Sequence, residues 1–159
     1  GSLSELLDSG FIEIQTMGAK GLRFRKHSLV PDWITLPALR VHGVADTSGA
    51  GDWCSAGFIH ALQQVAEGCS PQELSYNEIF GSLRNAQAIA ALSCRHHGAR
   101  GLMRATPADV ALSDAFQILR EQLPGPIRID CLNESAVGGE AMPVASCEWN
   151  RDLCCQALA

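Results

Sequence analysis

Positive charge is scarce in this chain. Lysine and arginine number 12 against 17 aspartates and glutamates, a net charge of −5 at pH 7. Such a balance gives no basic surface to attract a phosphate backbone, so nucleic acid is not an expected partner. Long apolar runs are missing as well, since none approaches the roughly 18 residues that a membrane-spanning helix needs. The first residues lack the basic-then-apolar pattern of a secretory signal, and no membrane association is expected. Paired cysteine knuckles are also absent. The seven cysteines never fall as Cys-x-x-Cys, which argues against a zinc ribbon. Their odd number and irregular spacing also make a poor disulfide framework. The thiols are therefore read as reduced and the protein as cytoplasmic.

What is present is a core-forming composition with one concentrated motif. Hydrophobic residues make up 47% of 159 positions, enough for one globular domain. The motif is Asp46-Thr47-Ser48-Gly49-Ala50-Gly51-Asp52, followed at once by an apolar, helix-compatible segment from Trp53 to Leu62. Glycine admits backbone conformations that other residues resist, so the amides of Gly49, Ala50 and Gly51 can turn toward one point. A helix starting near Asp52 aims its unpaired N–H groups and positive dipole end at that point, an arrangement that binds phosphate. Asp52 then sits where a carboxylate accepts a proton from an attacking alcohol. The competing reading is a glycine turn with Asp52 as an ordinary helix N-cap. Gly51 is expected to need a positive φ, which a β-branched replacement would block.

The string from Asp46 to Asp52, with Ala56-Gly57-Phe58 behind it, resembles the C-terminal signature of the ribokinase-like (PfkB) family of carbohydrate and nucleoside kinases. Trp53 and Cys54 stand where that family more often has a small residue and a phenylalanine. Two further segments are similar. Thr16-Met17-Gly18-Ala19-Lys20-Gly21 resembles the family's Thr-x-Gly-x-x-Gly stretch beside the nucleotide phosphates. Asn85-Ala86-Gln87-Ala88-Ile89-Ala90-Ala91, with Gly98-Ala99 after it, resembles the helix that borders the adenine pocket. The resemblance implies a three-layer αβα fold of ribokinase-like type and an ATP-dependent kinase of sugars or related alcohols. Asp52 is its general base, and Gly49, Ala50 and Gly51 form its anion hole. Thr16, Gly18, Gly21 and Asn85 are its nucleotide contacts, and ATP and Mg2+ its cofactors. Asp46 and the Ser48 carbonyl match positions that bind a monovalent cation such as K+ in some members.

Family members are about twice as long and carry an Asn-x-x-Glu motif upstream, which this sequence lacks. The chain is therefore expected to be the nucleotide-binding, C-terminal half of such a kinase, inactive alone. Its expected partners are the missing N-terminal half, a small sugar or nucleoside-like substrate and a second copy in a homodimer.

Around these motifs the pattern is that of an α/β chain, half of a doubly wound unit. Leu3, Leu6 and Leu7 lie at helical spacing before Gly10. Residues 11–17 alternate as a strand, a glycine turn follows, and 22–26 run back as a second strand. Residues 34–36 and 39–41 are further candidate strands near Pro31 and Pro37. A helix is expected from Asp52 to about Glu67. Ser70-Pro71 and Ser75-Tyr76-Asn77-Glu78 both read as helix starts. The second opens a helix with Ile79, Leu83, Ala86 and Ala90 on one face, ending near His97-Gly98. His42 is expected to be structural, and His96-His97 a solvated helix end. Thr106-Pro107 opens a last helix with Leu112, Phe116 and Leu119 on its buried stripe, ending by Leu123. The domain is thus expected over 1–123. Residues 124–159 form a cysteine-bearing tail to which the sequence assigns no role. Two other functional classes stay open: a non-catalytic nucleotide-binding regulator, and a plain α/β scaffold.

Overall fold

The computed structural model describes residues 11–65 and 73–123. The expected helix over 3–9, the helix start at Ser70-Pro71 and the tail 124–159 lie outside the described residues.

Alternation of side chains builds the sheet. Strands β1 (Ile12–Thr16), β2 (Leu22–Lys26) and β3 (Val30–Leu36) form an antiparallel meander with β2 in the centre. Ile14 pairs with Phe24, Phe24 with Ile34, and Leu22 with both Thr16 and Leu36. On β2, Leu22, Phe24 and Lys26 are buried while Arg23 and Arg25 face outward. The outer face is polar. Arg25 pairs with Glu13 at 2.9 Å, Arg23 Nε donates to Gln15 at 2.7 Å, and both guanidiniums lie within 5 Å of the Trp33 ring centre. Pro31 falls on β3, an edge strand in which a missing N–H donor is tolerated.

The expected strand over 39–41 does not form. Pro37 interrupts the chain, and the Arg40 backbone N–H and carbonyl bond instead to the Gln122 side chain, each at 2.6 Å. A doubly wound parallel pattern is likewise absent among the described residues, where every strand pairing is antiparallel. The class that stands is α/β in the general sense of mixed helices and a small sheet.

Helices α1 (Ala50–Val65), α2 (Tyr76–Ser93), α3 (Gly101–Ala105) and α4 (Ala108–Gln122) complete the described residues. The inner face of the sheet contributes Leu22, Phe24 and Leu36 to a core shared with Cys54 of α1, with Leu74, and with Ile79, Leu83 and Ala86 of α2. Helix α1 approaches α2 closely at Gly57, where a β-carbon would stand 2.5 Å from Ile89 Cγ2 and 3.1 Å from Ala86 Cα. The start of α2 is the expected capping box. Ser75 Oγ accepts from the Glu78 N–H at 3.3 Å, and Glu78 Oε2 accepts from the Ser75 N–H at 2.7 Å. Its helical residues end at Ser93, earlier than expected, with Cys94 as C-cap.

Helix α4 packs on α2 with Leu119 buried as expected, but with the first two positions of the expected stripe displaced by one residue. Ala111, Ala115, Ile118 and Leu119 are buried, whereas Leu112 and Phe116 are half-exposed. The short α3 was not expected.

Among the described residues two charged side chains are buried. Lys26 Nζ donates to the Leu74 carbonyl at 2.9 Å, and burial lowers its pKa. Arg84 Nη1 donates to the Pro37 carbonyl at 3.0 Å and to Gln87 Oε1 at 2.9 Å, while Gln87 donates to the carbonyls of Leu36 and Pro37. These bonds fasten α2 to the end of β3, where the sheet ladder has stopped. No described helix is long and apolar enough to cross a membrane.

Candidate functional site

The motif loop is shaped by its own first residue. Asp46 Oδ1 accepts from the Ser48 N–H at 2.9 Å, closing a tight turn, and Oδ2 accepts from the Gly98 N–H at 2.8 Å. Hydrogen bonding by Ser48, then by Gly98, holds the Asp46 carboxyl down at about 2. The Ala50 N–H then donates to the Thr47 carbonyl at 3.2 Å, and the Trp53 N–H to the Gly49 carbonyl at 2.9 Å. That last bond is the first of the α-helical ladder. Helix α1 therefore opens at Ala50, two residues earlier than expected, and Asp52 lies inside its first turn rather than at the N-cap. The Asp52 side chain is solvent-exposed.

This geometry sorts the three expected anion-hole amides. The N–H of Ala50 is used within the loop, while those of Gly49, Gly51 and Asp52 have no acceptor among the described residues. The two glycines also differ. Gly49 has φ +79°, and a β-carbon there would stand 2.6 Å from Ala99 Cβ and 2.8 Å from Ala99 Cα. The fold itself requires Gly49. Gly51 does not have the expected positive φ, because it is the second residue of α1, and its β-carbon direction opens on space with nothing within 4 Å. Nothing in the packing demands a glycine at this position.

A second segment, residues 94–99 after α2, braces the loop. The Ala45 and Asp46 N–H groups donate to the Cys94 carbonyl at 2.8 and 3.2 Å, and Trp53 Nε1 donates to the Ala99 carbonyl at 2.9 Å. With the Asp46–Gly98 bond these contacts tie 45–53 to 94–99 along their length. Sequence reasoning missed this pairing and the part of Trp53 in it. The adjacency of Gly98-Ala99 to the motif leaves no local periodic signal, since the two segments lie about fifty residues apart.

The remaining expected contacts sit elsewhere. Thr16 ends β1 and is exposed, and Gly18 opens a single 3-10 turn, Gly18–Lys20, with φ +56°. Gly21 has φ +102°, and a β-carbon there would run into the Leu36 carbonyl oxygen and stand 2.6 Å from the Ala38 N. Its glycine is explained by the chain passing against it. Asn85 is half-buried on α2 with Nδ2 donating to the Gly81 carbonyl at 3.2 Å. Among the described residues no hydrogen bond joins 16–21 to the motif loop.

No group of three or more histidine, cysteine, aspartate or glutamate side chains among the described residues could hold a metal ion. Of the two groups expected to hold a monovalent cation, the Asp46 carboxylate has both oxygens accepting N–H bonds, one from Ser48 and one from Gly98. Compared with family models, with curated proteins and with solved structures, the chain finds no match.

Proposed function

We propose that this chain is the nucleotide-binding half of a ribokinase-like, three-layer αβα kinase that transfers phosphoryl from ATP to a hydroxyl of a sugar or related alcohol. The observation that supports this best is Gly51. It stands at the head of a 16-residue helix, in open space, with its own N–H and that of Asp52 unpaired among the described residues. A glycine inside a helix is disfavoured by about 1 kcal/mol against alanine. A phosphate that must reach the backbone accounts for a glycine that the packing does not need.

In this reading the Gly49, Gly51 and Asp52 N–H groups take up charge on the transferred phosphoryl group. The Asp52 carboxylate accepts the proton of the attacking hydroxyl. Mg2+ arriving with ATP neutralises charge on the phosphate oxygens, and a monovalent cation at Asp46 and Ser48 would add positive charge beside the loop. Thr16, Gly18, Gly21 and Asn85 would contact the nucleotide. Substrate choice belongs to an N-terminal half that this chain does not include. The scaffold reading draws its support from Gly49, whose glycine the packing against Ala99 explains without any ligand.

The test is Asp52→Asn in an intact enzyme containing this half. The amide keeps size and removes the proton acceptor, so kcat should fall by roughly 10²- to 10⁴-fold with ATP affinity unchanged. Activity lost only in proportion to folded protein would refute the assignment of Asp52.

A further inference from the structure

We infer that Trp53 is a positioning residue for the phosphate-binding amides, holding them through the turn at 94–99; the inference rests on the kinase reading above. Trp53 follows Asp52 directly and occupies the first turn of α1, yet its indole is directed off the helix. Nε1 donates to the Ala99 carbonyl at 2.9 Å. The same Ala99 presents its Cβ and Cα to Gly49, close enough that no side chain fits between them. One residue of the turn is thus held on one side by the indole and abuts, on the other, the glycine whose carbonyl starts the helix. Gly98, its neighbour, donates to Asp46 Oδ2 at 2.8 Å.

The consequence is mechanical. The direction of the Gly49 and Gly51 N–H groups depends on Gly49 keeping φ near +79°, a conformation with no side chain of its own to enforce it. Ala99 packed against it supplies that restraint, and Trp53 holds Ala99 in place. The main-chain bonds from Ala45 and Asp46 to Cys94 anchor the other end of the turn, while two side chains hold this end, the Asp46 carboxylate at Gly98 and the indole at Ala99 itself. Loss of the indole N–H would leave the fold intact and loosen the aim of the amides.

The experiment is isothermal calorimetry of the 159-residue chain with ATP and, separately, with adenosine, for wild type and Trp53→Phe. Phenylalanine keeps an aromatic ring and removes the N–H. Losing one neutral hydrogen bond should weaken ATP binding by about fivefold, and adenosine, which has no phosphate to reach the loop, should bind both proteins equally. Unchanged ATP affinity in the variant overturns the inference. So does an equal loss for ATP and adenosine, which would mark a general structural role. Wild type that binds neither ligand overturns the kinase reading and this inference with it. Trp53→His, which retains a ring N–H, should recover part of the ATP affinity if the bond to Ala99 is what matters; recovery without any change in adenosine binding is the expected result.

Discussion

Gly49 and Gly51 stand two residues apart, and alanine at each should push stability and binding in opposite directions. At Gly49 the backbone has φ +79°, where a β-carbon costs about 1–2 kcal/mol. That β-carbon would also stand 2.6 Å from Ala99 Cβ, and crowding of this kind adds about 1–3 kcal/mol. Stiffening of the unfolded chain returns only about 0.4–1 kcal/mol. The balance is a net loss of about 1–5 kcal/mol, a large share of the 5–15 kcal/mol that holds a typical domain together. At Gly51 the backbone is helical and the β-carbon meets nothing within 4 Å, so alanine should be neutral or stabilising by up to about 1 kcal/mol. If phosphate reaches the Gly51 amide, however, the added methyl obstructs a charge-assisted hydrogen bond. Such a bond is worth about 1.5–3 kcal/mol, so ATP affinity should fall roughly 10- to 150-fold. Urea unfolding followed by circular dichroism gives the stability of each variant, and calorimetry with ATP gives the affinity. A Gly51→Ala protein that is at least as stable as wild type and binds ATP equally well would refute the argument that this glycine serves a ligand. A Gly49→Ala protein of unchanged stability would refute the account of the Ala99 contact.

Three more outcomes follow from the same geometry. The Asp46 carboxyl is depressed from 3.8 to about 2 on folding, so its contribution to stability is complete above pH 4 and is lost as pH falls toward 2; the difference in unfolding free energy between wild type and Asp46→Asn should shrink over that window, and a difference independent of pH would contradict the two N–H bonds. Ser75→Ala removes the capping-box acceptor and should cost about 1 kcal/mol, read as a lower urea midpoint at unchanged slope. Thiol titration under denaturing, non-reducing conditions should find all seven cysteines free, and in the folded protein buried Cys54 should alkylate more slowly than half-buried Cys94; stoichiometric zinc or a protected pair would contradict the reading of the cysteines.

Local closure is what the sequence by itself determined. The alternation from Ile12 to Lys26 across a glycine turn specified a hairpin, because side-chain direction in a strand repeats every two residues. Ser75 and Glu78 specified the start of α2, because the partners in a capping box are three residues apart. The motif from Asp46 to Asp52 marked the head of α1 for the same reason, although Gly49 turns the chain early enough for the helix to begin at Ala50. Only the tertiary structure decided the rest. Whether 39–41 became a strand depended on Gln122, eighty-two residues from Arg40, satisfying its backbone. That α4 buries Ala111, Ala115 and Ile118 rather than Leu112 and Phe116 depended on how it lies against α2. Burial of Lys26 and Arg84 depended on carbonyls of Leu74 and Pro37 that no local pattern places beside them. Which motif glycine the fold requires, and which it leaves open, was decided by Ala99. Hydrogen bonds and contacts between segments so far apart obey no short period, and that is why folding alone reveals them.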